Sequence, residues 1–179
     1  HSFSTRRSSV LFDLEFLKFR LGEAQSFSIT MLPLMIIALR FPLVDAFIGI
    51  GGIYGVITML WDGYGLITYP LDYLLAYGFL SIISLFQALV YGKHKHEIIN
   101  YLYLALAVPA GVSGRIFFST ISGVVVYETP FVGSLLYNLP AIGVSGIICG
   151  VLLMMLFPTL LRFRPQPFLQ NEVEESKQQ

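Results

Sequence analysis

Apolar residues in this chain gather into runs of membrane length, interrupted by polar positions at a few defined places. After a mixed opening stretch the runs cover 28–41, 43–60, 66–91, 98–127 and 133–161, each close to the roughly 20 residues that a helix needs to cross a bilayer, or somewhat shorter where polar residues intrude. The first is short, and Pro33 within it marks a kink or a helix start. The fourth is long, and Pro109 followed by Gly111 and Gly114 predicts a bend. Residues 3–22 set Arg6, Arg7, Asp13, Glu15, Lys18 and Arg20 among Val10, Leu11, Phe12, Leu14, Phe16, Leu17 and Phe19. That pattern suits an interfacial amphipathic helix or an incomplete first span, not a lipid-exposed one. The predicted architecture is all-α: a polytopic membrane bundle of five spanning helices behind an amphipathic or degenerate first helix. It divides into 1–25, a transmembrane bundle over 26–162, and a polar tail over 163–179.

Composition supports that class. Hydrophobic residues make up 55% and charged residues 12% of the chain, with a mean hydropathy of +0.73, whereas about a quarter of a soluble domain is charged. The net charge is zero, which gives no electrostatic footprint for nucleic acid. The single Cys149 lies in an apolar run and reads as a small packing residue. The chain opens on His1, and its first twenty residues hold no signal-peptide core, so it reads as an N-terminal fragment.

Basic residues predict the orientation, because cytoplasmic loops concentrate Lys and Arg. Arg40, the pair Lys93 and Lys95, and the pair Arg162 and Arg164 fall on one side. The connections 61–65 and 128–132 have no basic residue and are placed outside, where they can serve as lids. The C-terminus is then cytoplasmic in a multi-pass protein of the cell membrane. Small residues four apart, at Gly51 and Gly55, Ala110 and Gly114, and Gly146 and Gly150, predict close helix contacts. The segment Lys93-His-Lys-His-Glu97 reads as a solvated turn, since a metal site needs three or four convergent ligands. No cofactor is expected. No Walker-type glycine loop, nucleophile elbow or zinc-ligand helix occurs, so the chain is not read as an enzyme and any ATP hydrolysis falls to partners.

The candidate chemistry centres on Asp72, an acid in an apolar run with no adjacent base. Helical spacing places Tyr69, Asp72 and Tyr73 on one face, with Tyr77 a turn further. An ionisable group at membrane depth usually faces a cavity or a partner. Two plainer roles stand beside this one: Asp72 following Pro70 as a helix-start stabiliser, and Asp72 paired with Arg115 to fix helix packing. Ser119, Ser122, Tyr127, Tyr137 and Asn138 lie towards the same outer side, and Tyr54 of the second span lies deeper. Aromatic faces, a carboxylate and a carboxamide together suit a flat, cationic, hydrogen-bonding solute.

The order Met31-Leu-Pro-Leu34, Ala38-Leu-Arg40, Gly52-Ile-Tyr-Gly55, Leu71-Asp-Tyr-Leu-Leu-Ala-Tyr77, Arg115 through Val125, and Ser134-Leu-Leu-Tyr-Asn138 resembles the thiamine-specific substrate-binding (S) components of energy-coupling-factor vitamin transporters. The resemblance runs from about residue 26 to 161. It implies a six-helix membrane protein that captures thiamine from outside and docks on a transmembrane coupling protein and two ATPase subunits. It also implies that Asp72, Tyr73 and Asn138 contact the vitamin, with Tyr54 and Tyr127 as further aromatic walls and Ser119 as a polar contact. Ser119 stands in place of a histidine, Tyr54 and Tyr127 in place of tryptophans and Gly133 in place of a tyrosine, and Ala24 falls near another aromatic position. The family's first helix is not recognisable.

Overall fold

The computed structural model describes residues 18–20, 26–63, 65–92 and 98–162. Most of the predicted amphipathic stretch, Ala24, the 93–97 turn and the tail lie outside the described residues. Two three-residue strands, β1 (Lys18–Arg20) and β2 (Ser26–Ser28), pair antiparallel with Phe19 opposite Phe27. Five helices follow: α1 (Met31–Arg40), α2 (Leu43–Asp62), α3 (Tyr69–Val90), α4 (Ile98–Val125) and α5 (Phe131–Arg162). Among the described residues the protein is all-α apart from that strand pair, and α2 to α5 are long and apolar enough to cross a membrane.

Two expectations at the N-terminal side need correction. Lys18–Arg20 is a strand, not part of an amphipathic helix; its backbone groups bond across to Ser26–Ser28. The first predicted span is also only half a span. The strand and a turn closed by Leu32 N–H to Ile29 O use up residues 26–30, leaving α1 ten residues. At 1.5 Å per residue it reaches about 15 Å, half of a hydrocarbon core of about 30 Å.

α1 is nonetheless deep in the protein: Met31, Leu34, Met35, Ala38 and Leu39 are buried against Leu80 and Ile83 of α3 and Cys149, Leu153 and Phe157 of α5. Its C-terminal end is closed by Gln87 of α3, whose amide Nε2 donates to the carbonyls of Ala38 at 2.9 Å and Phe41 at 2.5 Å. Those are carbonyls that a helix end leaves without an internal partner. The middle of α3 is the hub of the bundle, touching α1, α2 and α4, and α3 with α4 form the most extensive helix pairing among the described residues.

The small-residue positions are where backbones meet. Gly51 of α2 lies against the Leu74 carbonyl and Gly78 of α3, and Gly55 lies against Tyr73. Gly114 of α4 receives the ring of Phe79, while Gly146 and Gly150 of α5 receive Val112 and Val108. Around this core the large exposed side chains are apolar, among them Ile53, Leu60, Leu102, Ile147 and Met155, as a lipid-facing surface requires.

α2 and α3 are not regular. Each widens into a π-helical segment, Ile48–Tyr54 and Tyr69–Leu75, and the two segments touch. Phe79–Phe86 of α3 tightens into 3₁₀ geometry. Single π turns inside helices concentrate at functional sites, and both of these carry residues of the candidate site.

Candidate ligand site of the bundle

The connection between α2 and α3 fixes the outer edge of the site. Gly63, at φ 75°, ends α2 by donating its N–H to Met59 O at 3.1 Å, the left-handed closure that glycine adopts without a Cβ clash. Gly65, at φ 87°, turns the chain again. Thr68, buried, then anchors the turn: its hydroxyl donates to Gly65 O at 2.9 Å and its carbonyl accepts the Asp72 N–H at 3.0 Å. Pro70 occupies the first turn of α3, where its missing N–H costs no helix bond.

From that start the π segment fans its polar residues across two neighbours instead of keeping them on one face. Tyr69 and Tyr73 turn to α2: the Tyr69 hydroxyl donates to Gly52 O at 3.4 Å and the Tyr73 hydroxyl to Asp62 Oδ2 at 3.0 Å. Asp72 turns to α4, where it is hydrogen-bonded to the side chain of Ser119 and lies in the field of Arg115. A π turn holds more residues than an α turn, so the spacing that aligns Tyr69, Asp72 and Tyr73 in an α-helix separates them here.

Tyr77 ties the aromatic wall together. Its ring stacks with Tyr73 at 6.1 Å between centroids, meets Tyr54 of α2 edge-on at 5.1 Å, and carries the Arg115 guanidinium 4.1 Å from its centroid. Arg115 thus rests on a ring and not against a carboxylate, and its buried Nε has no hydrogen-bond partner among the described residues. The expected alternative, a direct Asp72–Arg115 packing pair, is not the observed geometry. Guanidinium over an aromatic face is attractive by roughly 0.5–2 kcal/mol, more as water is excluded.

Asn138 reaches the same place from α5, but its amide is engaged within the protein. Nδ2 is shared between Ser134 O at 3.0 Å, Ser119 O at 3.3 Å and Ser134 Oγ at 3.4 Å. Ser134 Oγ in turn donates to Thr120 O at 2.9 Å, and Gly123 opposite gives it room. Asn138 therefore holds the backbone of Ser119, whose side chain meets Asp72. Tyr127 is placed differently: it lies past the end of α4, exposed in the turn before α5. The structure brings Asp72, Tyr73, Tyr54, Ser119 and Asn138 into one connected set. The sequence pointed to these five as ligand contacts and placed Tyr77 one turn beyond Tyr73 on the same face, but gave it no role in the site; its spacing four residues after Tyr73 was the available signal.

Chemically the set offers a partly buried carboxylate, three tyrosine rings and a guanidinium. It can bind and orient a flat cation.

Comparison with known proteins bears on the family and the fold. The profile of the family described as thiamine transporter protein (Thia_YuaJ) matches residues 8–164. Among solved structures, ThiT from Listeria monocytogenes superposes with a TM-score of 0.65 at 21% sequence identity, over 85% of this chain and 89% of that one. None of the curated proteins is a significant match to the chain.

Proposed function

Because the chain belongs to the thiamine transporter protein family, we propose that it captures thiamine as the membrane-embedded substrate-binding component of an energy-coupling-factor transporter, at the cluster built around Asp72. The observation that carries the site assignment is the meeting of the Asp72 carboxylate, held by Ser119, with the wall of Tyr54, Tyr73 and Tyr77. Thiamine joins a permanently cationic thiazolium to a flat aminopyrimidine, so a carboxylate with aromatic faces matches both its charge and its shape. Ser119 and Asn138 orient the carboxylate and the helix behind it, while Tyr127 at the outer turn covers the bound ligand.

Transport then requires partners, a transmembrane coupling protein and two ATPase subunits, since no phosphate-binding loop occurs in the sequence. The basic residues Arg40 and Arg162 close the last turns of α1 and α5; by the positive-inside rule these ends, and the C-terminus, face the cytoplasm. The Asp72 end of α3 faces outside.

The test is thiamine binding to the purified full-length protein. Wild type binds, and ligand at about 100 times Kd raises the unfolding free energy by roughly 2.7 kcal/mol. Removing one partner of a buried charge pair costs about 3–5 kcal/mol, so Asp72→Ala weakens binding more than a hundredfold. Undiminished affinity in a folded Asp72→Ala protein refutes the assignment.

A further inference from the structure

We infer that Asp62, the last residue of α2, is a second carboxylate of the thiamine site, selecting for the ligand's positive charge during capture and positioning the Tyr73 ring beside Asp72. The inference rests on the thiamine reading above and deepens it.

Asp62 stands where helix stability gives no reason for an acid. It occupies the C-terminal end of its helix, which carries the negative end of the dipole and favours a cation. No ion pair to a lysine or arginine offsets it among the described residues. Its one observed side-chain contact is functional in direction: Oδ2 accepts the hydroxyl of Tyr73 at 3.0 Å. Tyr73 is buried and neighbours Asp72 in sequence, with Tyr77 stacked beneath it. Asp62 is itself exposed, and the αL closure at Gly63 and the Thr68 clamp hold it at the outer edge of the site.

Charge at this edge is therefore unbalanced. Asp62 lies within electrostatic reach of Asp72, Tyr73 and Tyr77, and Arg115 is the cation placed among them. Two carboxylates against one guanidinium leave a single negative charge, the complement of a thiazolium. An exposed carboxylate at the rim acts on a ligand still in water, over a Debye length of about 10 Å at 0.1 M salt, and so governs the rate of capture. Its bond to Tyr73 fixes the phenol hydroxyl at the outer edge and so sets the angle of the ring beside Asp72.

The experiment measures association and dissociation of two ligands with the full-length protein across ionic strength. One is thiamine; the other is its deaza analogue, in which carbon replaces the thiazolium nitrogen and the ring is neutral. Asp62→Asn slows thiamine association about tenfold at low salt, flattens its salt dependence and leaves association of the neutral analogue unchanged. Asp62→Glu restores the salt dependence. Tyr73→Phe keeps the salt dependence and speeds dissociation of both ligands alike. Equal slowing of both ligands by Asp62→Asn, or an unaltered salt dependence, overturns the inference and leaves the thiamine reading standing. Failure of the wild type to bind thiamine overturns that reading, and this one with it.

Discussion

Replacing Gly51 with alanine tests whether the contact between α2 and α3 holds the site together. A Cβ at Gly51 lies 2.5 Å from the Leu74 carbonyl oxygen and 2.9 Å from Gly78 Cα. Both are backbone atoms, so no side chain can swing away; reaching ordinary contact at 3.4 Å separates the helices by about 0.9 Å. Overpacking of this kind costs about 1–3 kcal/mol. The displacement falls on the paired π segments, with Tyr54 on one side and Asp72 and Tyr73 on the other. A shift near 1 Å there also loses ligand contacts, and we expect thiamine affinity to drop about tenfold or more. Gly49→Ala is the control: it lies two residues away in the same helix, with nothing within 4 Å of the added Cβ. Relief of glycine's chain entropy makes that substitution neutral or stabilising by up to about 1 kcal/mol. Thermal unfolding in detergent with and without thiamine, and calorimetric titration, measure both quantities. Indistinguishable Gly51→Ala and Gly49→Ala proteins would falsify the close-contact account of how the two walls are aligned.

Three further outcomes follow from the hydrogen bonds and ring contacts. Gln87→Leu strips the donor from two carbonyls at the end of α1, so thermal stability falls by about 1–3 kcal/mol while thiamine affinity stays near wild type; a matching loss of affinity would contradict the separation of that clamp from the site. Tyr77→Leu removes the ring beneath Arg115 and lowers stability by about 1–2 kcal/mol beyond Tyr77→Phe, which keeps the aromatic face; equal unfolding temperatures for the two variants would refute the stacking role. Asn138→Ala unties Ser119 from α5, and both the unfolding free energy and the free energy of thiamine binding are expected to fall, by roughly 1 kcal/mol each. An affinity loss without any stability change would instead make Asn138 a direct ligand contact.

The bundle was readable from the sequence because lipid imposes one rule on every span. The run 66–91 corresponds to α3 at Tyr69–Val90; at its start the helix excludes Thr68 and, before it, Leu66 and Ile67, apolar yet exposed in a turn that the glycines on one side and Thr68 on the other define. Hydrophobicity could not mark that boundary, but Pro70 did. The glycine spacings were equally legible, since close approach requires the missing Cβ wherever it occurs. What spacing could not convey is the π geometry, which leaves no periodic trace in so short a segment. Assuming α periodicity put Tyr69, Asp72 and Tyr73 on one face, when Tyr69 and Tyr73 turn to α2 and Asp72 to α4. The partner of Arg115 was hidden for a related reason: Asp72 and Tyr77 both lie within its reach, and only the packed arrangement decides that the ring takes it. The half-length α1 escaped because an apolar run of fourteen residues does not announce that its first residues pair as a strand.

That short helix bears on how the protein is made. A segment of about 15 Å cannot hold itself across a bilayer, and its five fully buried side chains face other helices, with little left to offer lipid. Its seat is formed by α3 and α5, the latter being the last helix in the chain. We expect biogenesis to run out of sequence order, with this segment taking its seat only once α3 and α5 are in place. Nascent chains halted before α5 should leave residues 31–40 open to protease, and chains completed through Arg162 should protect them.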